Sequence, residues 1–184
     1  MENKLACIGQ LTTIILLVSP FPQFVFCHKK SLEKNASIKE ISFKYLLANF
    51  LCYQVWVAYS FKVNNADLII INMIGAVINS IFLVLYMYVK CTINQHSQYM
   101  LMILISLPMI YLAHSSSLSM DNTGLFATTL SVMMYGLTLD SVGDTLKTRD
   151  GKTVNLGITA ACIINGLIWF FYSLLVKDIY LCIP

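Results

Sequence analysis

Two short patterns carry most of the chemistry this sequence can offer. Trp56-x-x-Tyr59-Ser60 lies near the end of one apolar run, and Trp169-x-x-Tyr172-Ser173 lies near the end of another; each is followed by a loop aspartate, Asp67 and Asp178. At helical spacing, Asn49, Cys52, Tyr53, Trp56 and Ser60 share one face, Asn72, Gly75, Ala76 and Asn79 a second, and Ala161, Asn165, Trp169 and Tyr172 a third. Amides and indoles hold a ligand through hydrogen bonds and ring faces; they do not break its bonds. The apolar runs contain no Gly-rich phosphate loop, no Ser/His/Asp grouping and no paired carboxylates, so the chain is not expected to be an enzyme. His28, His96 and His114 have no partner at helical spacing, and the six cysteines show no CxxC or Cys/His pattern. No metal and no cofactor is expected, and the thiols read as small apolar residues.

An asparagine facing lipid leaves amide groups without partners, at a cost of several kcal/mol, so the three stripes should face the interior of a helix bundle. Small residues beside them allow close helix packing or leave room for a ligand. The alternative is that the asparagines only bridge helices and the tryptophans anchor at the membrane interface. Periodicity does not choose between these.

The elements that position the stripes follow from composition. With 58% hydrophobic and 11% charged residues among 184, the chain has too little polar surface for a soluble sphere. A bilayer-spanning helix needs roughly 20 apolar residues, and six runs qualify: about 5–27, 43–61, 68–89, 99–114, 124–142 and 156–176. The fourth is the shortest and contains Pro108. The first could instead be a secretory signal, but its apolar core is long and runs into Pro20-Phe21-Pro22-Gln23, which is no small-residue cleavage site. Lys29, Lys30, Lys34, Lys39, Lys44, Lys90, Lys147, Arg149 and Lys152 belong to one side, and only Lys4, Lys62 and Lys177 to the other. The positive-inside rule makes the first group cytosolic and the N-terminus extracellular or lumenal. The sequon Asn35-Ala36-Ser37 would then be cytosolic and unmodified.

The Trp-x-x-Tyr-Ser pattern belongs to a longer repeat. Pro20 precedes Lys29-Lys30-Ser31 by the same interval as Thr138 precedes Lys147-Thr148-Arg149, and each basic cluster leads to one of the two tryptophan helices. The reading is an all-α membrane protein in which two parallel three-helix repeats are joined by a linker helix. The first repeat is 1–90, the linker with span four is 91–122, and the second repeat is 123–184 with spans five and six only.

The chain resembles the SWEET (MtN3/saliva) sugar transporters over nearly its whole length. The resemblance rests on Leu17-Val18-Ser19-Pro20, Lys29-Lys30-Ser31-x-Glu33, Trp56-x-x-Tyr59, Ile71-Asn72-x-x-Gly75, Met134-Tyr135-Gly136-Leu137, Lys147-Thr148-Arg149, Trp169-x-x-Tyr172 and Lys177-Asp178 leading to Ile183-Pro184. Each motif is short; their order and spacing make the match specific. Pro22-Gln23 is similar to the wider PQ-loop superfamily, which includes lysosomal amino-acid exporters.

The resemblance implies passive, bidirectional sugar movement by alternating access. It implies that Trp56 and Trp169 sandwich a sugar ring, that Asn72 binds its hydroxyls, and that Asn165, Cys52 and Met133 complete the pocket. Tyr59 and Asp178 match a pair that closes an outer gate, and Pro20 matches a helix pivot. Family members carry further pivot prolines where this chain has Thr138 and Asn155, which suggests stiffer rocking or hinges elsewhere. The family's fourth sugar-contacting asparagine and its seventh span would lie beyond Pro184. The 184-residue stretch alone is therefore expected to be unstable as a monomer or oligomeric, and inactive.

The function expected is that of a facilitative uniporter for a mono- or disaccharide in the plasma membrane, with Golgi or another endomembrane as the alternative. Its partners would be the lipid bilayer and further protomers in a homo- or hetero-oligomer, with no nucleic acid. A transporter of another small solute, such as an amino acid, and a non-transporting isoform that modulates complete protomers are the competing readings.

Overall fold

The computed structural model describes residues 2–22, 25, 43–90, 93–148 and 156–183. Among them every regular element is helical: α1 (Glu2–Val18), α2 (Phe43–Lys62), α3 (Ala66–Lys90), α4 (Ile93–His114), α5 (Met120–Thr148), α6 (Leu156–Val176) and the short α7 (Ile179–Cys182). At about 1.5 Å per residue, the 20 to 29 residues of α2 through α6 reach across a hydrocarbon core roughly 30 Å thick. Over Ala66–Tyr88, α3 meets the length and apolarity of a span by itself, with a mean hydropathy of 2.5. The outer surface is apolar: Val84, Ile105 and Tyr88 are 67%, 63% and 78% exposed. That surface suits lipid, and the fold is that of an all-α membrane protein.

The first span is interrupted by a turn at Ser19-Pro20, beyond which Phe21, Pro22 and Val25 are again helical. Regular helix stops at Val18, because Pro20 has no N–H to continue the ladder and disfavours helical geometry at Ser19. The Ser19 hydroxyl and amide turn back to the Leu16 carbonyl, at 2.8 and 3.2 Å. α4 is longer than expected at 22 residues and accommodates Pro108 within it. α5 continues unbroken past Thr138. Gln23, Cys27, His28, the lysines at 29, 30, 34 and 39, Asn35, Cys91, Arg149, Lys152, Asn155 and Pro184 lie outside the described residues.

α3 packs against both α2 and α1; α2 also packs on α4 and α5, and α1 on α6. The two tryptophan helices thus each meet a helix of the other half. Three apolar clusters hold this arrangement. Phe43, Leu46, Phe82, Leu83 and Tyr86 join α2 to α3, with Tyr99 of α4 stacked on Phe43 at 3.9 Å. Val55, Trp56, Tyr59, Ala113 and Ala127 join α2, α4 and α5. Ala6, Leu68 and Tyr172 join α1, α3 and α6. Lys62 adds a polar clasp: its ammonium donates to the carbonyls of Ser115 and Leu118, at 3.0 and 2.6 Å, tying the end of α2 to the α4–α5 loop.

Candidate functional site

The α2 and α6 sequences repeat, and their ends fold alike. α2 closes on Asn64, which adopts the left-handed conformation (φ 54), and α6 closes on Lys177 (φ 57). In both cases the next residue caps the following helix. Asn65 accepts from the Leu68 amide at 3.3 Å. Asp178 accepts from Tyr180 and Leu181, at 3.0 and 3.3 Å. The repeat counterpart of Asp178 is therefore Asn65. Asp67, which the sequence suggested, lies two residues further along and receives the Gln10 amide on its carboxylate, at 3.2 Å.

One helical turn or more before these loops, the stripes converge on a cavity of about 180 Å³. Trp56, Cys52, Asn72, Asn165 and Trp169 all line it. Met133 does not; it is 62% exposed on the outer face of α5, and Met134, one residue or about 100° around the helix, lines the cavity instead.

Each tryptophan is fastened to the opposite half. Trp56 Nε1 donates to Ser131 Oγ of α5, and Trp169 Nε1 donates to Thr13 Oγ1 of α1, both at 2.9 Å. Beside them stand the repeat counterparts Cys52 and Asn165. Cys52 Sγ lies 3.2 Å from Ser131 Oγ. Asn165 Oδ1 accepts from Thr13 at 2.9 Å and from Thr12 at 2.7 Å. Asn72 Nδ2 donates to Ser60 Oγ at 3.0 Å. The asparagines thus bridge groups within the protein and line the cavity at once, and neither indole N–H is left for a membrane interface.

At the end where α1 begins, two tyrosines lie across the bundle. Tyr59 OH donates to Asp178 Oδ2 at 2.8 Å. Tyr172 OH and the Asn65 amide are paired, with Asn65 Nδ2 3.0 Å from the hydroxyl. Both rings are fully buried and set edge-on to their tryptophans, at 5.5 Å for Trp56 and 5.4 Å for Trp169. Beyond Tyr59 lies a second cavity of about 380 Å³ that includes Asp121, Asp178 and Tyr180. Gly124 permits this closeness, since a Cβ there would sit 2.6 Å from the Tyr180 ring and 2.8 Å from Tyr59.

Thr13, Ser131 and Asn65 were not singled out by the sequence, and Ser60 was placed only on the inward face of α2. Helical serines and threonines ordinarily bond back to their own helix, as Ser131 also does to Ala127 at 3.1 Å. Only the intervals shared with the repeat could have pointed to them.

The profile of the family described as sugar efflux transporters for intercellular exchange matches residues 3–93 and 121–184. The bidirectional sugar transporter SWEET7b of Oryza sativa subsp. japonica is 23% identical over 194 aligned positions, covering all of this chain and 71% of that protein. The sugar transporter SWEET1 of Xenopus tropicalis is 23% identical over 156 positions, covering 80% of this chain and 72% of its own length. The structure of a eukaryotic SWEET transporter superposes with a TM-score of 0.82 at 15% identity, over all of this chain and 87% of that one. With its tandem match to the family profile and that shared fold, this chain belongs to the SWEET family of sugar transporters.

Proposed function

We propose that this chain carries a sugar across the membrane by facilitated, bidirectional diffusion, exposing one site alternately to either side. The observation that supports this best is the convergence of Trp56 and Asn72 from one half with Trp169 and Asn165 from the other on a single cavity. Indole faces pack on the C–H faces of a sugar ring, and side-chain amides both donate to and accept from its hydroxyls. The relatives' names point to the same substrate class. At about 180 Å³ the cavity is smaller than the roughly 300 Å³ at which pockets for drug-sized ligands begin.

In this reading Tyr59 and Asp178 form a gate on the side where the N-terminus lies, Pro20 is a pivot, and the repeats run over 1–90 and 123–184. The lysine distribution supports a gate on the non-cytosolic side, and the resemblance to the family favours the plasma membrane over an endomembrane. Counterflow in liposomes holding the natural full-length protein tests the proposal. Labelled glucose should accumulate transiently against preloaded glucose with no ion gradient, and Trp169→Ala should abolish it. Counterflow of a labelled amino acid with none of glucose would replace the sugar reading by that of another solute.

A further inference from the structure

The two cavity amides are turned in opposite senses, and the hydroxyls that turn them can be read from the hydrogen bonds. Trp169 Nε1 can only donate, so Thr13 Oγ1 accepts its proton. The Thr13 hydroxyl hydrogen is then free to go to Asn165, 2.9 Å away. Thr12 Oγ1, 2.7 Å from the same side-chain atom against 3.0 and 3.1 Å from the Gly9 and Ile8 carbonyls, directs its hydrogen there as well, so both hydroxyls require an acceptor. That fixes Oδ1 of Asn165 toward α1 and leaves its NH2 on the other side. For Asn72 the logic reverses. Ser60 Oγ lies 2.6 Å from the Trp56 carbonyl, which can only accept, so the Ser60 hydrogen is spent there. Its oxygen must accept from Asn72, which ties up the NH2 end of that amide.

We propose that Thr13 and Ser60 are positioning residues that make Asn165 a hydrogen-bond donor and Asn72 a hydrogen-bond acceptor toward a bound polyol ring. This rests on the sugar reading above. One ring hydroxyl would be recognised through its oxygen by Asn165 Nδ2, and another through its hydrogen by Asn72 Oδ1. Cys52 adds little polarity at the remaining corner. Ser131 already receives the Trp56 proton and lies 3.1 Å from the Ala127 carbonyl, so the thiol is drawn toward Ser131 instead of the ligand. The cavity walls thus repeat in shape and differ in polarity.

The test uses the natural full-length protein in nanodiscs and has two arms. In the first, side-chain amide exchange with water is followed by NMR on protein labelled with 15N-asparagine, the signals being assigned by their loss in Asn165→Asp and Asn72→Asp. The Asn165 NH2 should exchange at least tenfold faster than that of Asn72. The reverse order would overturn the proposal whether or not any sugar binds. In the second arm, binding of glucose and its deoxy and deoxyfluoro analogues is read by the fluorescence of the two tryptophans, both of which line the cavity. Fluorine can accept a hydrogen bond and cannot donate one. One ring position should tolerate fluorine and reject hydrogen by tenfold or more. Replacing both Thr12 and Thr13 by valine should erase that distinction, because both hydroxyls reach Asn165 Oδ1, while Thr13→Ser preserves it. A second position should reject both, and Ser60→Ala should relax that rejection. Identical changes in the two variants, or none, would overturn the positioning roles. The predicted exchange order with no binding of any sugar would instead remove the sugar reading and leave the amide orientations standing.

Discussion

Tyr59→Phe removes one hydroxyl and leaves the ring, so it isolates the hydrogen bond to Asp178 from the packing around it. That bond is 2.8 Å long and ends on a carboxylate. Hydrogen bonds to charged groups contribute about 1.5–3 kcal/mol. Asp178 keeps its bonds from the Tyr180 and Leu181 amides on Oδ1, and Tyr59 and Asp178 both line the second cavity, from which water can replace the lost donor. The lower end applies, and about 1.5 kcal/mol shifts the ratio of closed to open gate roughly tenfold. Cys52 reports the shift, because it lines the inner cavity and is 5% exposed. With Cys7, Cys27, Cys91, Cys162 and Cys182 replaced by serine, a membrane-impermeant maleimide added on the N-terminal side should label Cys52 about tenfold faster in Tyr59→Phe. Tyr172→Phe breaks a neutral pair, typically worth about 0.5–1.5 kcal/mol, and should raise labelling by a smaller factor. An unchanged rate in Tyr59→Phe would refute the gate.

Gly124→Ala inserts a methyl against the Tyr59 and Tyr180 rings. Overpacking of this kind costs about 1–3 kcal/mol, so thermal stability should fall and Cys52 labelling should rise; Gly166→Ala, with nothing within 4 Å, should do neither. Gly75→Ala would bring a Cβ within 2.3 Å of the Tyr53 ring, which lines the inner cavity, so sugar binding should weaken as that ring is displaced. Lys62→Met should lower the unfolding temperature through loss of two carbonyl contacts, with glucose affinity unchanged because Lys62 lies outside the cavity lining.

Helix positions and the inward faces were legible because lipid punishes unpaired amides. Asn72 and Asn165 belonged inward at helical spacing and the repeat tied α2 to α6, whereas periodicity left the tryptophans between the cavity and the membrane interface, and their bonds to Ser131 and Thr13 decide it. The choice of Met133 over Met134 was beyond that logic, since both are apolar and adjacent and only the rotation of α5 separates them. Loop equivalence was misread for a different reason. Aspartate was matched to aspartate, whereas the left-handed residues Asn64 and Lys177 set the register and make Asn65 the counterpart of Asp178. Asn64 is a residue type that adopts this conformation readily, but Lys177 is not, so the sequence did not mark the two turns as equivalent. The roles of Thr13, Ser131 and Ser60 depend on which neighbouring helix each hydroxyl meets, and that is a property of packing.

The claim most in need of a direct measurement is that the two halves hold one sugar between their tryptophans. Titration of glucose into Trp56→Phe and Trp169→Phe reads each remaining indole separately, because the chain has two tryptophans and both line the cavity. Each variant should show a saturable fluorescence change, and the two should give midpoints within a few fold of each other, since one bound ring touches both. A response from only one indole, or from neither while glucose is still transported, would place the sugar elsewhere.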